Sequence, residues 1–232
     1  MDNLDPIGDA IRQELEGKNS ARDNALARSR ELIRHCANAI KAIHRENWEA
    51  ARQGLDTVRN AARKMVEGVA DYPDLYHSGY IQDALKEYVE AFVTYALVRG
   101  QPFPTPAELD VTGATYLNGL AEAATEVRRT VLDIIRQDHN DQAERLLEQM
   151  DNIYNLLMTF DFPDAITYGL RRRVDVLRGV LERTRGDLTT SLRQQRLRTA
   201  LRSLEERLGL PSDDLAKPYA ADEDKDPPPA GE

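Results

Sequence analysis

Asp83-Ala84-Leu85-Lys86-Glu87-Tyr88-Val89-Glu90-Ala91-Phe92 is the stretch whose reading decides the rest. It has the pattern of a mid-helix segment, with Leu85, Val89 and Phe92 on one apolar stripe. At the angular step of an α-helix, Asp83, Glu87 and Glu90 fall within about 60° of one another on a second face. A second acidic pair follows in Tyr116-Leu117-Asn118-Gly119-Leu120-Ala121-Glu122-Ala123-Ala124-Thr125-Glu126, where Glu122 and Glu126 stack at i, i+4. Glu87 and Glu90 lie among Tyr80, Ile81, Leu85, Tyr88, Val89 and Phe92, and Glu122 among Leu120, Ala121, Ala123 and Ala124, with few cations adjacent in sequence. Acids in such company face a cavity or need a counterion. Two helices with paired carboxylates that meet can hold a hard divalent cation through oxygens, and Mg²⁺ fits that donor set. The plainer reading, acids on solvated helix faces, stays open on spacing alone.

Working outward, the chain reads as successive helices. Residues 18–45 form a long first one, with Leu26, Leu32, Ile33, Cys36, Ile40 and Ile43 on the apolar side. Beside that side run Arg30, Arg34, Lys41 and Arg45, within about 60° on the helical wheel, with His44 at the edge. Such a row is either a solvated face or a track for a polyanion. A second helix is predicted from Trp48 to Val69, a third over 73–99 carrying the first acidic cluster, and a fourth over 114–136 carrying the second. The loop from Arg99 to Pro106 leads into Thr105-Pro106-Ala107-Glu108, a short-helix start with a Thr cap and Pro at the first position. A fifth helix is expected over 140–159. From Ala165 to Leu208 no proline occurs, which predicts one very long final helix, with Gly186 the place for an interruption.

The 232 residues are 41% hydrophobic and only 6% aromatic, with few helix breakers in the body, which points to an all-α protein. Net charge is −9, but it is unevenly spread. Residues 1–17 hold five acids and one arginine, and residues 212–232 hold seven acids and two lysines, so the body between them is neutral. The organisation expected is an acidic N-terminal segment (1–17), one helical domain (18–211) and a disordered acidic, Pro-rich tail (212–232). A neutral body can still present a basic surface to nucleic acid. The single Cys36 allows no internal disulfide, and no signal peptide or membrane-spanning run is evident, so a soluble cytoplasmic protein is expected.

Several chemistries lack their residues. No Gly-rich phosphate loop, zinc-spaced cysteine pair or His-Glu-x-x-His occurs, nor the paired Glu-x-x-His of di-iron bundles. Cys36 beside His35 is a poor nucleophilic dyad, since adjacent helical positions diverge, and it reads as a core thiol.

Taken in order, these stretches resemble the translin and translin-associated factor X family over residues 20–200. The likeness is carried by Ser29-Arg30-Glu31-Leu32-Ile33-Arg34, by Leu85-Lys86-Glu87-Tyr88-Val89-Glu90-Ala91, and by Tyr116-Leu117-Asn118-Gly119-Leu120 leading to Glu122 and Glu126. Tyr168-Gly169-Leu170-Arg171, Val174 and Val180-Leu181-Glu182 complete it. The resemblance implies an all-α fold of about seven helices, an elongated bundle ending in a very long helix. It also implies a shell of subunits, typically eight, enclosing single-stranded or short duplex RNA, or DNA. In the factor-X branch a Glu-Tyr-Val-Glu segment with a later Asp and Glu forms a Mg²⁺-dependent endoribonuclease site. On that pattern Glu87, Glu90, Glu122 and Glu126 would hold the metal, with Glu122 standing where the branch has Asp. Arg30, Arg34, Lys41 and Arg45 would steady the RNA backbone, with His35 or His44 as contributors. Three readings follow: a nuclease, a binding module for single strands that does not cut, and a helical assembly protein with protein partners.

Overall fold

The computed structural model describes residues 3–136 and 140–208, and among them every regular element is helical. The chain divides into two compact units, Met1–Thr189 and Thr190–Glu232. In the first, α1 (Leu4–His44) turns back through Glu46, left-handed at φ 54°, into α2 (Trp48–Glu67), which is capped by the Asn47 side chain accepting from the Ala50 N–H at 3.2 Å. A single turn, α3 (Pro73–Tyr76), precedes α4 (Gly79–Arg99), which ends at left-handed Gly100. Another turn, α5 (Pro106–Leu109), carries the full Thr105–Glu108 capping box, and α6 (Gly113–Ile135) starts from a Thr112 cap. Then come α7 (Asn140–Leu157), the turn α8 (Asp164–Thr167) and α9 (Leu170–Leu208).

Helix α4 is the axis of this unit. It packs against α1, α2, α6 and α7, and Ile81, Leu85, Val89, Val93 and Leu97 are all but fully buried. With buried residues all round its circumference, it behaves as a core helix rather than a surface one. The described part of the second unit, 190–208, is helical, with Leu197, Leu201, Leu204 and Leu208 exposed.

Three boundaries differ from the sequence reading. Helix α1 begins at Leu4, not near residue 18, because Leu4, Ile7, Ile11 and Leu15 keep helical spacing and Pro6 falls in the first turn, where its missing N–H costs nothing. The predicted third helix is two, parted at Ser78, whose ψ of 146° is extended. The predicted final helix is broken at Tyr168 and Gly169, with φ of 52° and 79°, and then passes Gly179 and Gly186 without interruption. The capping box is a separate element, as expected. The tail predicted over 212–232 lies outside the described residues. Among the described residues, no helix is long and apolar enough to cross a membrane.

Candidate metal centre and its surroundings

Glu87 and Glu90 come from α4 and Glu122 from α6, and the two helices meet where Gly119 removes a side chain. A Cβ at Gly119 would lie 2.6 Å from Val89 Cβ and 2.8 Å from the Lys86 carbonyl oxygen. That close approach brings one carboxylate oxygen from each of Glu87, Glu90 and Glu122 within 4.8 Å of one another. The three border a cavity of about 680 Å³, also lined by Glu126, Tyr168, Arg172, Arg173 and Val176.

Glu90 is the most buried acid of the group, 9% exposed. Burial, then the negative charges of Glu87, Glu122 and Glu126, pushes its pKa up to about 9 from the ordinary 4.5. The same surroundings act on Cys36, whose thiol is pushed far up by burial and then by Glu87 and Glu90. Cys36 is therefore an inert core thiol, as its sequence position suggested. A crowded acid of this kind either keeps its proton or takes a cation. Three oxygen donors at this spacing suit a hard ion such as Mg²⁺.

The structure corrects the expectation that few cations attend Glu122. Its Oε1 accepts from Lys86 Nζ at 2.8 Å and from Arg173 Nε at 3.0 Å. Lys86 Nζ also stands 3.6 Å from Glu87. The Arg173 guanidinium further donates to Asn118 Oδ1 at 3.1 Å and to the Tyr168 carbonyl at 3.0 Å, tying the start of α9 to α6. Neither Lys86 nor Arg173 was picked out as a site residue from sequence. Arg173 could not be, because it is 51 residues from Glu122.

Glu126 lies outside the three-carboxylate group. Its Oε1 is 2.6 Å from His44 Nε2, and His44 Nδ1 is 3.2 Å from Thr130 Oγ1. His44 thus sits buried at the end of α1 against α6, with its side chain 3% exposed, rather than on a nucleic-acid face. Asp83, on the same wheel face as Glu87, is exposed and outside the group. His35 pairs with Glu31 at 3.6 Å on its own helix. Arg30, Arg34 and Lys41 on α1 and Arg45 just past its end are all exposed, and among the described residues their side chains form no ion pair and do not line the carboxylate cavity.

No family model matches the chain. An uncharacterised protein of Methanocaldococcus jannaschii is 32% identical over 193 residues, covering 82% of this chain and 85% of that one. Among solved structures, the C3PO of Archaeoglobus, determined with duplex RNA, is 36% identical with a TM-score of 0.74, covering 79% of this chain and 95% of its own. The apo C3PO of Neurospora shares the fold at 21% identity and a TM-score of 0.73, covering 82% of this chain and 98% of its own. C3PO is a translin/TRAX-like complex, and the fold, identity and extent of these matches agree with the motifs quoted above. The chain belongs to the translin and translin-associated factor X family.

Proposed function

We propose that this protein binds RNA within a homo-oligomeric shell, of eight subunits on the family pattern, and cleaves it as a Mg²⁺-dependent endoribonuclease. The observation that carries the reading is the convergence of Glu87, Glu90 and Glu122 on one cavity, with Glu90 kept protonated at neutral pH by burial first and then by its acidic neighbours. The duplex-RNA complex of the Archaeoglobus relative supports RNA as the ligand class and assembly as its setting. Single-stranded DNA and a cytoplasmic location belong to the same proposal.

Glu87, Glu90 and Glu122 would hold the ion. When bound, Mg²⁺ supplies Lewis-acid stabilisation of the charge that develops on a reacting phosphate. Lys86 and Arg173 fix the orientation of Glu122 from two sides. Glu126, gripped by His44, stands at the same cavity outside the three-oxygen group, suited to take a proton from the attacking water. A binding-only reading draws on one observation: Glu122, where the active branch has Asp, is already engaged by two cations.

One assay separates the two. A labelled single-stranded RNA is incubated with wild type and with Glu87→Ala/Glu90→Ala, in Mg²⁺ and in EDTA. Mg²⁺-dependent cutting by wild type alone is the expected result. Binding without cutting by both proteins would leave the binding module, and cutting that survives in the variant would move the site elsewhere.

The α1 row gives a second expectation. Replacing Arg30, Arg34, Lys41 and Arg45 with Gln is expected to weaken single-strand binding and flatten its salt dependence by up to about 3 in log–log slope. A slope equal to that of wild type would remove these four from the phosphate contacts.

A further inference from the structure

Three further side chains that line the carboxylate cavity, Tyr168, Arg172 and Val176, recur every four residues across the α8–α9 corner. The acids and their partners do not use them. Tyr168 is held in the left-handed region, φ 52°, where a bulky aromatic residue is seldom found. It is over-determined there: its N–H donates to the Asp164 carbonyl at 2.8 Å and its own carbonyl accepts from Arg173 at 3.0 Å. Despite being fixed this firmly, it is 43% exposed, and Val176, which lines the same cavity, is 53% exposed. Strained backbone persisting at the rim of a reactive cavity is a recurrent property of ligand contacts.

The cations divide in the same way. Lys86 and Arg173 are committed to Glu122. Arg172 lines the same cavity, is exposed, and forms no ion pair with any of its acids among the described residues. An arginine at a carboxylate-rich cavity that leaves those carboxylates alone is available to an anion brought from outside, and its planar fork matches a phosphate.

We infer that the Tyr168–Arg172–Val176 corner is a subsite for one unpaired nucleotide, its base stacked on Tyr168 with Val176 alongside and its phosphate on Arg172. This rests on the RNA-binding part of the proposed function and adds to it the side chains that would receive one unpaired base. Stacking on an aromatic ring is indifferent to base identity but needs a base released from its neighbours. A continuous duplex keeps its bases stacked on one another and cannot offer one. The corner therefore selects single-stranded segments within whatever RNA the protein encloses.

The test uses the full-length protein in EDTA, so that cutting, present or absent, does not enter. Affinity is measured by fluorescence anisotropy for a short single-stranded RNA and for a duplex of related sequence closed at both ends by non-nucleotide linkers, which leave no unpaired base. A single 2-aminopurine in the single strand reports stacking. Tyr168→Ala keeps the same backbone requirement and is expected to weaken single-strand binding about tenfold and to abolish the protein-induced 2-aminopurine change, with duplex affinity unmoved. Tyr168→Phe is expected to retain both. Arg172→Gln is expected to weaken single-strand binding and lower its salt slope by about 0.7. Single-strand binding by Tyr168→Ala equal to that of wild type, or an equal loss for the closed duplex, would overturn the subsite while leaving the nuclease reading intact. Conversely, a wild type that binds normally and never cuts in Mg²⁺ overturns the nuclease reading alone. If wild type binds neither RNA, both fall.

Discussion

Glu90→Gln is expected to make the metal-free protein more stable at pH 8 while eliminating its response to Mg²⁺. In the folded chain Glu90 holds its proton up to about pH 9, whereas in the unfolded chain it loses it near 4.5. Folding therefore takes up a proton between these values. The stability linked to this group is complete below pH 4.5 and declines as pH rises towards 9, by up to about 1.4 kcal/mol per pH unit. Gln cannot ionise and keeps an N–H donor towards Glu87, so the variant escapes the decline. Urea melts in EDTA are expected to give similar stabilities for the two proteins at pH 5 and an advantage of up to about 4 kcal/mol for the variant at pH 8. Mg²⁺ should raise the Tm of wild type at pH 8 and leave that of the variant in place, since stabilisation follows binding to the folded state. A wild type whose stability does not fall from pH 5 to pH 8 would contradict the charge crowding on which the metal assignment rests.

Gly119→Ala is expected to damage the same centre from outside it. The new methyl would sit 2.6 Å from Val89 Cβ, 2.7 Å from Val89 Cγ1 and 2.8 Å from the Lys86 carbonyl oxygen. Rotating Val89 relieves only the second of these, so α4 and α6 must part. Overpacking of this kind costs about 1–3 kcal/mol, set against roughly 1 kcal/mol gained from the better helix propensity of Ala. The larger effect falls on the carboxylates, because Glu87 and Glu90 ride on one helix and Glu122 on the other. Loss of Mg²⁺-dependent stabilisation is expected even where the fold survives. Adding Val89→Ala should not restore it, because the Cβ and the carbonyl remain in place. Full Mg²⁺ response in Gly119→Ala, followed by calorimetry, would show that the helices tolerate separation and that the close approach is incidental.

The residues of the centre were readable to different depths, for physical reasons. Glu87 and Glu90 declare themselves because a 3.6-residue period puts them on one face amid apolar neighbours, and Glu122 because small residues surround it. That the two groups meet depends on Gly119, which in sequence is only a glycine inside a helix. The partners of Glu122 were harder to see. Lys86 adjoins Glu87 but reaches across to α6, and Arg173 arrives only because the chain turns at Tyr168, where a left-handed tyrosine interrupts what reads as continuous helix. His44 looked like an edge member of the basic row because the wheel shows direction on one helix and not the packing of α6 against it; its bond to Glu126 spans 82 positions. The fold was more legible than the site, since helical periodicity is local and ion pairing between helices is not.

The two cations on Glu122 have a kinetic consequence. Lys86 and Arg173 offset part of the negative charge that Glu87, Glu122 and Glu126 bring to the cavity, and Glu90, its pKa raised to about 9, keeps its proton there at neutral pH. The barrier that the acids alone would present to an incoming polyanion is lowered accordingly. On the proposed function, entry of a metal would be coupled to departure of the Glu90 proton and to loosened pairing at Glu122. RNA and metal would then need no fixed order of addition, and release of one proton would accompany the metal rather than the RNA.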